Sequence, residues 1–274
     1  MFSKLLKYDF RAVKRFAIII LTIIAVAAVL GSVDLAYICG LIKSGALETD
    51  SLFSVLSMTS SVFMMYFVVF LLGLASTAML VVSMIHFYKN LVTDEGYLTF
   101  TLPVTPKQIL LSKFTNSTLC SLAVSVATGI AIVIIVLVGF GVSGLLGEFF
   151  SILWEGIKIT TWQFWVIMVL MSIFGLVSLA NTHLLYYMAI ILGSIIVKKN
   201  KALAAIGCVV GVGFIYSSVT STVYTILMST TAFFENVVAS IIILLSVAIV
   251  LLAGLSYLFY YLTERMLSRS LNLP

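Results

Sequence analysis

Six long apolar runs, separated by short polar segments, dominate the hydropathy pattern of this 274-residue chain. Each run holds about 20 or more residues, and a helix of that length crosses a hydrocarbon layer roughly 30 Å thick. The pattern therefore predicts an all-α membrane protein with one transmembrane domain over residues 1–274. The six predicted crossings are 16–40, 62–87, 114–140, 163–197, 202–228 and 237–262.

The segment before the first crossing, residues 1–15, alternates cations and apolar residues at helical spacing. An apolar side is formed by Phe2, Leu6, Phe10 and Val13, and a basic side by Lys4, Lys7, Arg11 and Lys14. A helix with these two sides places its cations among anionic headgroups and its apolar residues below them. The pattern predicts an amphipathic N-terminal helix that lies along the inner leaflet.

Residues 141–162 show a second amphipathic pattern on the opposite side of the predicted bundle. Leu146, Phe149, Phe150, Leu153 and Trp154 repeat at helical spacing, with charged residues between them. Indole rings favour the membrane interface. We expect a helix that lies flat on the outer surface and anchors the outer ends of the crossings.

Charge sets the predicted orientation of the chain. All lysines and arginines except Lys43 and Lys158 fall on the side that carries both termini, and short loops rich in these residues stay in the cytoplasm. Both termini are therefore predicted to be cytoplasmic. The isoelectric point near 9.1 follows from this topology, so a nucleic-acid partner is not expected.

Motifs for hydrolytic chemistry or nucleotide binding are absent from the sequence. Neither HExxH, GxSxG nor GxxxxGK[ST] occurs, and the two histidines, His86 and His183, lie in different crossings. We expect a chain that is not an enzyme and that binds no metal or cofactor of its own.

Polar residues form stripes inside two crossings. The residues concerned are Ser178, Asn181 and His183 in the fourth crossing, and Ser217, Ser221, Tyr224 and Thr225 in the fifth. Such stripes line a passage, form a subunit interface, or simply bond to the backbone of their own helix. The sequence leaves these alternatives open.

The loop at 88–113 is the most polar segment between crossings and has clear helix signals. Thr93 or Asp94 caps a short helix that Pro103 ends, and Thr105, with Pro106 and Gln108 after it, starts the next helix with a capping box. Two aromatic residues in the short helix, Tyr97 and Phe100, are candidate anchors for a partner.

The stretch FYKNL at 87–91, followed by TDEGYLTFTLPV at 93–104, resembles the cytoplasmic loop of bacterial ABC-2-type transporter permeases. The amphipathic arm and the six crossings are similar too. The resemblance implies a permease subunit in a bacterial plasma or inner membrane, paired with a second, identical or paralogous, permease chain. It also implies a separate ATPase subunit that holds ATP and Mg²⁺ and docks on this loop as a coupling helix. The implied docking residues are Asp94, Glu95, Gly96, Tyr97, Leu98, Thr99, Phe100, Leu102 and Pro103.

The implied activity is export of a hydrophobic, peptide-like or lipid-like substrate, driven by the partner ATPase. One departure from the family is the connection between the fifth and sixth crossings, which is only a few residues long here. The alternative function is the substrate-binding membrane component of a vitamin importer, which would retain a ligand after purification. A membrane-embedded enzyme and a non-transporting anchor or immunity protein are the remaining classes.

Overall fold

A computed structural model describes residues 2–44, 52–93, 96, 105–197, 200–231 and 237–270. Seven helices account for nearly all of these residues, which confirms the predicted all-helical fold. Their bounds are α1 Phe2–Lys43, α2 Leu52–Val92, α3 Pro106–Ser143, α4 Leu146–Ile159, α5 Trp162–Ile196, α6 Lys201–Thr231 and α7 Val237–Ser270.

Six of the helices, all except α4, are long and apolar enough to cross a membrane. Their lengths, between 31 and 42 residues, exceed the roughly 20 residues that a crossing needs. Helices α1, α2, α3, α6 and α7 extend beyond the apolar runs that the sequence marks, whereas α5 matches its predicted run of 163–197 to within one residue at each end. The chain is a multi-pass membrane protein.

The N-terminal arm is not a separate helix. Helix α1 runs unbroken from Phe2 to Lys43, because neither Gly nor Pro interrupts the segment between Phe2 and Leu30. Its inward side also differs from the prediction. Leu5, Asp9 and Val13 are buried or partly buried, whereas Phe10 is 49% exposed.

The chain divides into two compact units. The first unit comprises Met1–Val13, Val81–Leu119 and Thr161–Pro274, and the second comprises Lys14–Leu80 and Cys120–Thr160. Helices α5, α6 and α7 belong wholly to the first unit, together with the start of α1, the end of α2 and the start of α3.

Helix α5 is the centre of the first unit. It packs against α6 and α7 along much of its length, while α6 and α7 contact each other far less. Its buried residues include Tyr187, whose ring stacks on Phe87 of α2 with centroids 3.8 Å apart. At Gly193 the backbones of α5 and α6 meet, since a Cβ there would lie 2.6 Å from the Ala204 carbonyl oxygen.

In the second unit, α1 packs against α2 and α3 through two glycines. A Cβ at Gly31 would lie 2.8 Å from the Ile135 side chain and 3.1 Å from Val68, and one at Gly139 would lie 2.7 Å from Leu35. Gly31 and Leu35 of α1 thus face Ile135 and Gly139 of α3 in the same order, so the two helices are parallel where they pack. Small residues at such contacts let membrane helices approach closely and gain dispersion energy.

A helix, α4, occupies Leu146–Ile159 within the segment 141–162 that the sequence predicts to be amphipathic. Residues 141–143 complete α3, and Gly144 then turns the chain with φ +75°, a conformation that favours glycine. Phe149 of α4 stacks on Phe140 with centroids 4.9 Å apart. The amphipathic pattern thus marks the helix, and the glycine sets its start.

Replacement of Gly193 tests the α5–α6 contact. We expect Gly193→Ala to destabilise the protein by about 1–3 kcal/mol, because backbone atoms of α6 already occupy the space that the added methyl group needs. Gly175→Ala, on the same helix but with open space around it, is the matched control and should not lower the melting temperature in detergent. Equal melting temperatures for the two variants would contradict the contact.

Candidate functional site at the loop end of the first unit

The predicted docking residues lie at the edge of the described structure. Asp94, Glu95, Tyr97, Leu98, Thr99, Phe100, Leu102 and Pro103 are outside the described residues. Gly96 alone is described: it is buried and helical, and its N–H donates to the Thr93 carbonyl over 2.8 Å. A Cβ at Gly96 would lie 2.7 Å from the Leu91 carbonyl oxygen, so the close backbone approach requires a glycine.

The predicted capping box at the start of α3 is confirmed. The backbone N–H of Thr105 donates to the Gln108 side-chain oxygen over 3.4 Å, and the backbone N–H of Gln108 donates to the Thr105 hydroxyl over the same distance. Pro106 is the first residue of α3. The helix that leaves the loop therefore begins at a position set by local sequence.

A buried charge cluster lies about two turns into α3. We define the Asp9 cluster as Asp9 of α1, His86 of α2, and Ser112 and Lys113 of α3. The Lys113 ammonium donates to Asp9 Oδ1 in an ion pair, and the Ser112 hydroxyl donates to Asp9 Oδ2 over 3.0 Å. The Asp9 and Lys113 side chains are each only 5% exposed.

The histidine completes the cluster on the side of α2. His86 Nε2 lies 3.5 Å from Asp9 Oδ1, and the Asn90 amide nitrogen lies 3.1 Å from His86 Nδ1. A buried carboxylate is tolerated only where counter-charge and hydrogen bonds replace its water. Asp9 obtains its counter-charge and its hydrogen bonds from α3 and is contacted by His86 of α2, so these two helices meet α1 near the loop that joins them.

Aromatic and hydroxyl contacts extend the cluster to α5. The hydroxyls of Ser117 and Tyr187 are hydrogen-bonded to each other, and Ser117 also donates to the Lys113 carbonyl over 2.9 Å. Tyr187 stacks on Phe87, one residue after His86. The loop-flanking helices therefore rest on α5 as well as on α1.

Sequence reasoning missed Asp9 and assigned Lys113 to the loop. In the structure Lys113 lies inside α3, buried against a carboxylate. One signal was available: Asp9 is the single acid in an otherwise basic arm, and it falls on one helical side with Leu5 and Val13. Its partner, 104 residues away, has no local signal.

The residues of the predicted polar stripes differ in burial. Asn181 and His183 are buried within the first unit, Ser178 and Tyr224 are half-buried, and Ser217, Ser221 and Thr225 are exposed. The hydroxyls of Ser217 and Thr225 donate to carbonyls of their own helix over 2.9 Å. The structure therefore does not bring the seven residues together on one surface.

Asn181 joins all three helices at the centre of the first unit. Its amide nitrogen donates to the Leu252 carbonyl over 3.2 Å and to the Ser256 hydroxyl over 3.0 Å, both on α7. Its amide oxygen accepts a 2.6 Å hydrogen bond from the Tyr216 hydroxyl on α6. Tyr216 lies next to the predicted stripe and was not part of it. The fully bonded Asn181 holds the helices at fixed depth relative to one another.

Grooves open between the described helices of the first unit. A polar groove of about 550 Å³ lies between the start of α3 and the end of α7, where Lys107, Tyr260, Glu264 and Arg265 line it. An apolar groove of about 410 Å³ lies between α2, α5 and α6. Both lie beside segments that adjoin the loop ends of α2 and α3.

Comparison of the chain with protein-family models, curated proteins and solved structures finds no match.

Replacement of Asp9 tests the charge cluster. We expect Asp9→Asn to destabilise the protein by about 3–5 kcal/mol, because the Lys113 ammonium stays buried without its counter-charge. The double variant Asp9→Asn, Lys113→Met should recover most of the loss. Thermal unfolding in detergent measures both, with Glu155→Gln, at an exposed position of α4, as the control. A single variant as stable as the wild type would be inconsistent with the ion pair.

Replacement of Tyr216 tests the Asn181 centre. Tyr216→Phe removes one donor and leaves the Asn181 oxygen unsatisfied, with an expected loss of about 0.6 kcal/mol, the average for interhelical hydrogen bonds in membranes, and at most about 1.7 kcal/mol. Tyr257→Phe is the control, because Tyr257 is on α7 and largely exposed. The two variants are compared by their melting temperatures; a smaller loss for Tyr216→Phe than for Tyr257→Phe would exclude the bond.

Proposed function

We propose that this chain is the permease subunit of an ATP-driven transporter of the ABC-2 type. Both termini are cytoplasmic in this proposal, the membrane is a bacterial plasma membrane, and a second permease chain completes the translocation unit. The loop at 94–104 serves as the coupling helix for a separate ATPase subunit. ATP and Mg²⁺ are held by that subunit.

The observation that carries the proposal is the position of the Asp9 cluster. A loop that transmits work must join helices that respond together, because a push on a loosely held loop is absorbed locally. His86 lies six residues before the end of α2, and Lys113 lies seven residues after the start of α3. Asp9 contacts both, so displacement of the loop is passed together to the parts of α1, α2 and α3 that belong to the first unit.

The enclosed charges and the polar groove near the loop support the same function. The charges of the Asp9 cluster are enclosed and mutually satisfied, so they can rearrange only with the helices that carry them. The polar groove at Lys107 and Arg265 begins two residues beyond Thr105, where the loop enters α3. We propose that the ATPase contacts this groove in addition to the loop.

A hydrophobic, peptide-like or lipid-like substrate, carried outward, is consistent with the side chains of the described helices. Many large apolar side chains of these helices are exposed, and the groove between α2, α5 and α6 is lined by apolar residues apart from Lys89 and Thr93. A strongly ionic cargo would need charged residues along its path.

The decisive test is coupling to a separate ABC-type ATPase, sought among the genes that neighbour the gene for this chain. We expect the two proteins to co-purify, and the chain to raise ATP hydrolysis in proteoliposomes above the rate of the ATPase alone. Tyr97→Glu, Leu98→Glu and Phe100→Glu should each abolish co-purification, because a charge replaces an apolar anchor. Ser229→Glu, an exposed position at the other end of α6, is the control.

A second variant separates docking from transmission. Ser112→Ala removes one hydrogen bond to Asp9 and leaves the loop sequence intact, so co-purification should persist while stimulated hydrolysis falls. If ATP hydrolysis remains stimulated in all three loop variants, the coupling role is wrong. If the chain binds no ATPase, the class of protein is wrong.

A further inference from the structure

A second buried carboxylate, Asp34, lies in the part of α1 that belongs to the second unit. The residue is only 8% exposed, and the side chain of Ser61 on α2 lies beside it. One carboxyl oxygen, Oδ2, is shielded from solvent and has no hydrogen-bond partner. Among the buried side chains that the structure describes, Asp34 alone has such an atom.

The surroundings of Asp34 provide no counter-charge. Helices α2 and α3 pack on α1 here, and within the second unit their titratable groups are Tyr66, which is exposed, and Cys120. On α1 the nearest are Tyr37, Cys39 and Lys43. The Lys43 ammonium instead donates to the Ser143 carbonyl over 3.2 Å.

Helix α4, which follows α3 in the second unit, has three charged residues, and all three are exposed. They are Glu148, Glu155 and Lys158. The Lys158 ammonium lies 5.6 Å from the centre of the Trp154 ring on the same helix. In the described part of the chain, no ion pair involves Asp34.

Asp9 and Asp34 are both buried carboxylates on α1, but their surroundings differ. A carboxylate removed from water must gain a cation and hydrogen bonds, or it must take up a proton and become neutral. Asp9 has Lys113 and Ser112, whereas Asp34 has one hydroxyl beside it and an unpartnered oxygen. We propose that Asp34 is a proton-binding site within the membrane region of the second unit, neutral in the resting protein and able to release its proton.

This site is independent of ATPase coupling and goes beyond the proposed function. Release of the proton leaves a negative charge between α1, α2 and α3, beside the close contacts at Gly31 and Leu35. The contact between α1 and α2 at Ser61 then depends on pH. The ligand is a proton, and its exchange makes this part of the second unit sensitive to acidity.

Carbodiimide labelling tests the proposal. Dicyclohexylcarbodiimide enters apolar regions and adds to protonated carboxyl groups, giving a stable N-acylurea whose mass is that of the acid plus the reagent. The full chain in detergent is treated at a series of pH values above about 6, where an ordinary aspartate is ionised, and labelled peptides are located by mass spectrometry. We expect labelling at Asp34 that falls as the pH rises, and none at Asp9.

Two substitutions and the addition of Na⁺ serve as controls for the labelling experiment. Asp34→Asn should abolish the label and leave the melting temperature at pH about 7 unchanged or higher, since the amide is neutral. Ser61→Ala removes a donor that favours the ionised form, so half-maximal labelling should move to higher pH. An unlabelled Asp34 peptide, labelling that does not change with pH, or protection by Na⁺ at constant pH would each overturn the proton assignment.

Discussion

Hydrocarbon offers no hydrogen bonds to a peptide backbone, so each crossing must satisfy its own N–H and C=O groups within a helix. The described side chains follow the same constraint. Hydroxyls along the helices, such as those of Thr22, Thr128 and Ser246, donate to carbonyls one turn back on their own helix. In a chain built in this way, each helix satisfies most of its own hydrogen-bonding groups. Their association rests on the contacts between helices.

Those contacts are of two kinds. Glycines allow close packing of backbones, as at Gly193 between α5 and α6 and at Gly31 between α1, α2 and α3. Buried polar groups add direction, because each has a limited set of partners at defined depth. Asn181 joins α5, α6 and α7 in this way, and Asp9 joins α1, α2 and α3. The Asp9 contacts lie within two turns of the end of α2 and of the start of α3.

Helix α1 illustrates how the environment decides the role of a residue. It carries two aspartates, both buried, of which one has a lysine and a serine as partners and the other has a single serine beside it. The first is suited to hold helices in place, because separating its ion pair within the protein is costly. The second has an oxygen without a partner, and the smallest ligand that neutralises it is a proton. An aspartate side chain thus holds helices together in the first unit, whereas in the second unit we propose that it binds an exchangeable proton.

Local and compositional features were determined by the sequence alone. The six long helices follow from hydropathy, the start of α3 follows from Thr105, Pro106 and Gln108, and the position of α4 follows from its amphipathic pattern, since each depends on residues close together in the chain. The tertiary structure decided which polar residues meet. Asp9 finds Lys113 across 104 residues, and Asn181 finds Ser256 across 75. Such pairs cannot be predicted from the hydrophobic periodicity of the sequence, because they depend on how whole helices pack side by side. That packing is set by shape and burial over many residues at once.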